Sequence, residues 1–158
     1  MSGLTIHRTS IAPEWIDYNG HVRDAYYTLI ASHAIDSLMD RIGIGAPYRE
    51  RTACTLYTVE MHVHYLREIG VRDTVEVKVS ILGADEKRIH AALELLCNDS
   101  QEAAATCEVM LLHIRQTPTA RTAPFPEEVA AAIAELRRAT AATAATGPGS
   151  RRMELVSR

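Results

Sequence analysis

The most informative segment of the chain is residues 27–42, YTLIASHAIDSLMDRI. Its apolar side chains recur at intervals of three and four residues, the spacing of one buried stripe on an α-helix. They are Tyr27, Ile30, Ala31, Ala34, Ile35, Leu38, Met39 and Ile42. Gly43 is suited to end this helix, because glycine readily adopts the left-handed conformation common after a helix C-terminus. We therefore predict one long helix with a single buried face.

Outside this helix the pattern alternates, as in β-strands. We predict one strand at 4–11 before the helix and, after a loop at 47–53, four more at 57–65, 74–81, 89–97 and 103–114. In the 57–65 strand one face is predicted to carry Tyr57, Val59, Met61, Val63 and Tyr65, and the other Thr58, Glu60, His62 and His64. Turn residues at 83–86 and 98–100 predict short, antiparallel connections.

A final helix is predicted after Pro124 and Pro126, with a buried stripe at Val129, Ile133 and Leu136. The long helix must bury its stripe against one face of the sheet. The predicted class is therefore α+β, with a long central helix wrapped by a curved antiparallel sheet and a C-terminal helix. We predict one domain at 1–145 and a flexible tail at 146–158.

The bulk properties exclude several functional classes. The chain has 158 residues and a formal net charge of -3, so bulk electrostatics does not favour nucleic acid or an anionic membrane. The three cysteines have no metal-ligand spacing, and we expect no bound metal. The N-terminal residues contain no apolar stretch, and no segment has the length of a membrane span. We expect a cytoplasmic protein.

Chemically active side chains cluster just before the long helix, in Asp17-Tyr18-Asn19-Gly20-His21. Free N–H groups at a helix start can bind a carbonyl oxygen as it gains negative charge. A nearby carboxylate can attack that carbonyl or take a proton from water. Gly20 would let a substrate approach the backbone closely. The same residues also fit an ordinary capped turn, so the pattern alone leaves both interpretations open.

The pattern Asp-x-Asn-x-His-Val at 17–22, followed by tyrosine, resembles the catalytic segment of hotdog acyl-thioesterases. The two branches in question are the 4-hydroxybenzoyl-CoA thioesterase group and the acyl-ACP thioesterases. Residues 65–69 and 73–77 are also similar to the second-to-third strand passage of that superfamily, and the resemblance covers about 4–114. It implies a hotdog fold and hydrolysis of an acyl-CoA to a free acid and coenzyme A.

The resemblance also implies roles for individual residues. Asp17 matches the nucleophile or general base, Asn19 the residue that orients it, and His21 the histidine of the same loop. The backbone from Gly20 to Val22 would supply the oxyanion donor. Glu60 is the candidate for the further acidic residue that members use, although a solvated strand glutamate is an equal alternative. Arg23-Asp24 departs from the Asn-Asn of many relatives, and Asp24 would cap the helix or tune specificity.

A finer resemblance is to the betainyl-CoA thioesterases of carnitine degradation. It rests on residues 15–21 together with Glu60, His62 and Tyr65. Their substrate carries a quaternary ammonium group, which aromatic faces bind. The implied substrate-binding residues are Trp15, Tyr18, Gly20, Val22, Tyr26, Tyr27, His62 and Tyr65. Tyr27, Tyr57 and Tyr65 also fit core or dimer-interface positions.

The superfamily further implies a homodimer or homotetramer with the pocket between subunits, and no cofactor beyond the coenzyme A of the substrate. Two alternatives remain from the residues. Asp17, His21 and Glu60 do not exclude a hotdog hydratase or dehydratase, which needs an acid–base pair at the β-carbon. A non-catalytic acyl-CoA-binding module is the second alternative.

Overall fold

The computed structural model describes residues 3–141, which form a six-stranded antiparallel sheet and three α-helices. Strands β1 to β6 span Leu4–Ser10, Cys54–Tyr65, Thr74–Ala84, Arg88–Cys97, Ala103–Arg115 and Arg121–Thr122. Helices α1 to α3 span Asp24–Arg41, Ala46–Thr52 and Glu127–Thr140. The predicted domain boundary at 145 and the tail at 146–158 lie outside the described residues.

The strand order of the sheet explains the position of the long helix. The order is β1-β3-β4-β5-β2, with β6 beside β5. β1 and β2 are therefore opposite edges of the main sheet, although in the chain they are separated only by a 3₁₀ turn at Pro13–Trp15, α1 and α2. The connection must cross the sheet, and α1 lies across the face that becomes the core. The predicted hotdog arrangement and the α+β class are confirmed.

The core confirms the predicted helix stripe. All eight apolar residues named for the long helix are buried, and they pack with alternate side chains of the strands. Val75, Val77 and Val79 of β3 are among those strand residues. Burying one such side chain stabilises the fold by about 1.5–3 kcal/mol. This stripe fixes which face of α1 packs against the sheet.

The prediction of a loop at 47–53 is wrong, because most of this segment forms the short helix α2. Pro47 lies in its first turn, where a missing N–H is not a loss. Tyr48 anchors the helix, since its buried hydroxyl lies 2.9 Å from Nε2 of His113 on β5. Ala53 ends it in the left-handed region, at φ 56°. The packing of Tyr48 against a residue distant in the chain thus outweighs the local sequence pattern that favours a loop.

The face assignment predicted for Tyr57 is also wrong. A β-bulge at Val59 lets Thr58 pair with Leu111 while Glu60 pairs with the adjacent Met110. One extra residue shifts the alternation, so side chains on either side of the bulge exchange faces. Tyr57 therefore shares the outer face with Glu60, not the inner face with Met61. Simple alternation cannot anticipate a bulge.

The C-terminal helix is confirmed as α3. Val129, Ile133 and Leu136 are buried as predicted. At its end, the buried Thr140 hydroxyl accepts a hydrogen bond from the amide of Ile81 on β3, at 3.1 Å. This bond fastens α3 to the sheet. Across residues 3–141, no helix combines the length and apolar character that crossing a membrane requires.

Candidate active site

The segment from Asp17 to His21 is a tight hairpin. Ile16 and Val22 form an isolated antiparallel bridge, and the Asp17 amide donates to the His21 carbonyl at 2.9 Å. The Gly20 amide closes the turn by donating to the Asp17 carbonyl at 3.0 Å. These bonds place residues 17 and 21 opposite each other at the base of the turn. The residues that carry the predicted carboxylate and imidazole are therefore paired through their main chains in one turn.

Gly20 has a conformational role in this hairpin. Its φ is +83°, in the left-handed region, and a Cβ added there would meet no atom within 4 Å. The requirement for glycine therefore comes from the backbone conformation, because the space around it is open. The close substrate approach expected at Gly20 stays a prediction.

The Asp17 carboxylate is half-buried and held by the backbone of the turn. Its Oδ1 accepts a hydrogen bond from the amide N–H of Asn19 at 2.8 Å. This is an Asx turn, a common way for aspartate to stabilise a tight turn. Among residues 3–141, Oδ2 has no hydrogen-bond partner. Asn19 thus orients Asp17 through its main chain, while its own side chain is exposed.

Two amides near the helix start are available to a ligand. Of the predicted donors from Gly20 to Val22, two already have partners, because the Gly20 amide donates to the Asp17 carbonyl and the Val22 amide to the Ile69 carbonyl at 2.8 Å. The amides of His21 and Asp24 donate to no residue within 3–141. Helix α1 begins at Asp24, and Arg23 caps it without a side-chain bond. The uncapped helix start therefore adds its partial positive charge at this point.

Asp24 does not act as the helix cap that was one of its two expected roles. It is the first helical residue, and its Oδ1 accepts from the amide of Ala25 at 2.9 Å. The preceding Arg23 occupies the cap position in an extended conformation. The alternative role of Asp24, tuning specificity, stays a prediction.

The predicted aromatic residues separate into two pairs and one lone ring. Trp15 stacks on Tyr26 with centroids 5.4 Å apart and an interplanar angle of 14°. Tyr27 meets Tyr65 edge-on at 5.1 Å. Tyr18, at the tip of the hairpin, is 92% exposed. The stacked pair and Tyr18 both belong to the immediate surroundings of the Asp17 hairpin.

Tyr27 is primarily a core residue. It is buried, and its hydroxyl donates to the Arg67 carbonyl at 3.1 Å. Burial raises the pKa of Tyr27, so its hydroxyl stays protonated as a donor. Its partner Tyr65 is half exposed and donates to the Asp24 carbonyl at 3.3 Å. Both hydroxyls therefore fasten the start of α1 to the end of β2.

Glu60 and His62 lie apart from the hairpin. Glu60 Oε1 and His62 Nε2 are 3.1 Å apart, and the register of β2 places both on the face that turns away from α1. Within residues 3–141, no hydrogen bond or ion pair joins this pair to Asp17 or His21. The structure thus brings together eight of the twelve predicted residues in and around the hairpin and leaves these two on the sheet edge. The eight are Trp15, Asp17, Tyr18, Asn19, Gly20, His21, Val22 and Tyr26.

Sequence reasoning missed Glu68. Its Oε2 lies 3.1 Å from Nε2 of His21, and it belongs to the connector 66–73 between β2 and β3. The similarity of residues 65–69 to the superfamily passage was a signal for this segment, but it did not single out the glutamate. Only the folded chain shows that the connector runs beside the hairpin.

Other reactive side chains are unsuited to nucleophilic catalysis. Burial raises the pKa of Cys107 to about 12 and, with the charge of Asp73, that of Cys97 to about 11. Both thiols stay protonated at neutral pH and are poor nucleophiles. No three His, Cys, Asp or Glu side chains of residues 3–141 form a metal-binding group. The expected absence of a metal stays a prediction.

A cleft of about 470 Å³ lies elsewhere, against α3. It is lined by Phe125, Ile133 and Arg137, among others, and by the end of β3. None of the residues of the Asp17 hairpin contributes to it. Size alone does not make it the catalytic site, because the carboxylate and imidazole of the hairpin lie outside it.

The thioesterase-like superfamily model matches residues 11–133. This range contains the hairpin, α1 and the whole of the main sheet except β1. The chain belongs to the thioesterase-like superfamily. This membership confirms the predicted acyl-CoA thioesterase activity and therefore the predicted class of enzyme, a thioester hydrolase.

Individual relatives agree with this assignment. The chain is 43% identical over 139 residues to the betainyl-CoA thioesterase of Pseudomonas aeruginosa, covering 86% of this chain and 87% of that protein. It is 37% identical over 135 residues to an L-carnitine dehydrogenase/betainyl-CoA thioesterase of Agrobacterium fabrum. That match covers 84% of this chain but 27% of the longer protein, so the similarity concerns one part of a fusion.

Solved structures share the fold. A Staphylococcus aureus protein in complex with CoA has a TM-score of 0.84 and 31% identity, covering 99% of this chain and 98% of that chain. The 1,4-dihydroxy-2-naphthoyl-CoA thioesterase of Synechocystis has a TM-score of 0.71 at 17% identity, covering 82% and 95%. The second likeness concerns the fold alone.

Proposed function

We propose that the protein hydrolyses betainyl-CoA to betaine and coenzyme A. The observation that carries the proposal is the 43% identity, over nearly the full length of both chains, to a relative that bears this name. The geometry supports it, because the stacked rings of Trp15 and Tyr26 adjoin the Asp17 hairpin. A trimethylammonium group cannot donate hydrogen bonds, and aromatic faces bind it through their negative quadrupole.

Asp17 is the proposed catalytic carboxylate, and it has two routes to the products. As a general base it takes a proton from water, the water oxygen attacks the thioester carbonyl carbon, and the C–S bond breaks. As a nucleophile it forms a mixed anhydride and releases the thiolate, and water then cleaves the anhydride. In either route the leaving thiolate gains one proton, and the sum is thioester plus water giving acid plus thiol.

The amides of His21 and Asp24 are the proposed oxyanion donors. Both lie at the start of α1, where the helix dipole favours developing negative charge. Asn19 positions Asp17 through the Asx turn, and His21 lies across the hairpin from it. We propose positioning roles for both residues.

We further propose that the active unit contains at least two copies of the chain. β2 is an edge of the main sheet and pairs with β5 alone among the described strands. An open edge is a template for another strand, and exposed Tyr57, Val59 and Tyr65 add apolar surface along it. Glu60 and His62 would lie at this seam. A homodimer and a dimer of dimers both fit this edge.

No cofactor is needed for the proposed reaction, because coenzyme A is part of the substrate. We also propose a cytoplasmic location. All three cysteines are free, which fits a reducing compartment.

The test is thiol release from betainyl-CoA and from 3,3-dimethylbutanoyl-CoA, a neutral substrate of nearly the same shape. We expect faster turnover of the cationic substrate, and loss of turnover by about 10²-fold or more in Asp17→Asn with substrate affinity retained. Asp40→Asn, at the opposite end of α1, is the matched control. Equal rates on both substrates would remove the betaine proposal, and an active Asp17→Asn would remove the assigned site. Enoyl-CoA absorbance changes without thiol release would indicate a hydratase.

A further inference from the structure

The connector after β2, residues 66–73, runs along the end of the Asp17 hairpin and the first turn of α1. Two hydrogen bonds join the connector to these elements. The Val22 amide donates to the Ile69 carbonyl at 2.8 Å, and the Tyr27 hydroxyl donates to the Arg67 carbonyl at 3.1 Å. Ile69 is fully buried. The backbone on both sides of Glu68 is therefore held against the hairpin and helix.

Glu68 lies between these two anchored residues and reaches His21. Its Oε2 is 3.1 Å from His21 Nε2. At this ion-pair distance the negative charge of the Glu68 carboxylate favours the tautomer of neutral His21 that carries its proton on Nε2, since the other tautomer would direct a ring lone pair at the carboxylate. In neutral His21 the other ring nitrogen, Nδ1, is then the acceptor, and it has no partner within residues 3–141.

We infer that Glu68 is a positioning residue for thioester hydrolysis, holding His21 in the tautomer whose Nδ1 accepts a hydrogen bond from the attacking water. The inference rests on the proposed location of the active site at the Asp17 hairpin. This role of His21 applies to both the general-base and the nucleophilic route, because water attacks the thioester in the first and the anhydride in the second. Glu68 touches no reacting atom and acts only through His21.

The exposure of the pair limits the size of the effect. The side chains of His21 and Glu68 are 40% and 75% exposed, so water screens their attraction. We expect Glu68→Gln to lower kcat by about 2- to 5-fold with little change in KM. Glu68→Asp, which keeps the charge, is expected to retain more of kcat.

The experiment compares Glu68→Gln with Glu86→Gln, a similarly exposed glutamate on the β3–β4 turn that pairs with Lys87. Glu86→Gln is expected to match the wild type. In a His21→Ala background, Glu68→Gln is expected to cause no further loss, because its effect passes through the imidazole. An unchanged kcat in Glu68→Gln, or the same loss with and without His21, would overturn the inference.

A second readout does not depend on turnover. Nitrogen-15 NMR of the imidazoles is expected to show His21 as the Nε2–H tautomer in the wild type and as a mixture in Glu68→Gln. Finding the Nδ1–H tautomer in the wild type would contradict the inference even if the enzyme is active. A wild type with the expected tautomer but no thioester turnover would instead contradict the proposed function.

Discussion

Trp15 and Tyr26 stack nearly parallel, with centroids 5.4 Å apart, across the base of the catalytic hairpin. The Arg23 amide supports this arrangement by donating to the Trp15 carbonyl at 2.9 Å, so both rings are held close to the start of α1. A stacked pair presents an outer aromatic face, and Trp15 is only two residues before Asp17 in the chain. These groups suit a cationic acyl group better than a neutral one.

Replacing Trp15 should therefore alter selectivity. We expect Trp15→Leu to lower kcat/KM for betainyl-CoA by roughly 2- to 30-fold, the range of a cation–π contact. The value for 3,3-dimethylbutanoyl-CoA should change much less, because that substrate has no charge. The measurement is thiol release with both substrates, and Phe125→Leu, which replaces a ring in the cleft at α3, is the control. Equal losses on both substrates would show that Trp15 is structural.

Gly20 should resist replacement for conformational reasons. Its φ of +83° costs an ordinary L-residue about 1 kcal/mol or more, whereas asparagine tolerates this region better. We expect Gly20→Ala to lower kcat and the unfolding temperature more than Gly20→Asn does. Thermal unfolding and turnover of the two variants check this. Equal behaviour would mean that the turn relaxes freely and does not hold Asp17 in place.

The β2 edge should control assembly. Val59, at the bulge of β2, is 54% exposed, and Val71, on the connector between β2 and β3, is 46% exposed. We expect Val59→Lys to shift the protein toward monomers, since a charge on an edge strand opposes further pairing. Val71→Lys should keep the wild-type mass in sedimentation. A monomeric wild type, or a multimeric Val59→Lys, would count against this edge as the interface.

His113 should make stability depend on pH. It is buried, its Nδ1 donates to the Ala123 carbonyl at 2.8 Å, and Nε2 accepts from the Tyr48 hydroxyl at 2.9 Å. Burial, with a smaller effect of Arg115, lowers the pKa of His113 below its usual 6.5. From about pH 6.5 down to the lowered folded-state pKa, the unfolded chain then binds more protons than the folded one. The free energy of unfolding should fall as the pH drops through about 6.5, by at most about 1.4 kcal/mol per unit for this residue.

Denaturant unfolding between neutral and mildly acidic pH measures this effect. His113→Gln should be less stable at neutral pH but should lose less stability on acidification. His7 contributes a similar trend, because burial and His33 also lower its pKa. A residual slope in the variant is therefore expected. An unchanged slope would show that His113 does not protonate on unfolding in this range.

Local patterns predicted much of the fold. The eight-residue stripe of α1 and the alternation in β3, β4 and β5 follow from periodicity, because each element buries one face. The exceptions have specific physical causes. The helix α2 depends on the contact of Tyr48 with His113, and the bulge at Val59 depends on pairing with β5. Neither partner is visible in the local sequence.

The candidate site likewise has features that the local sequence predicted and features that depend on distant parts of the chain. The sequence by itself determined the long helix, the turn before it and the family resemblance of residues 15–22, since these depend on neighbouring residues. Tertiary structure alone decided that Glu68 lies beside His21, that Trp15 and Tyr26 stack, and that Glu60 lies on the sheet edge away from Asp17. The reason is that β2 lies at the opposite edge of the sheet from β1, and the connector after β2 returns to the start of α1.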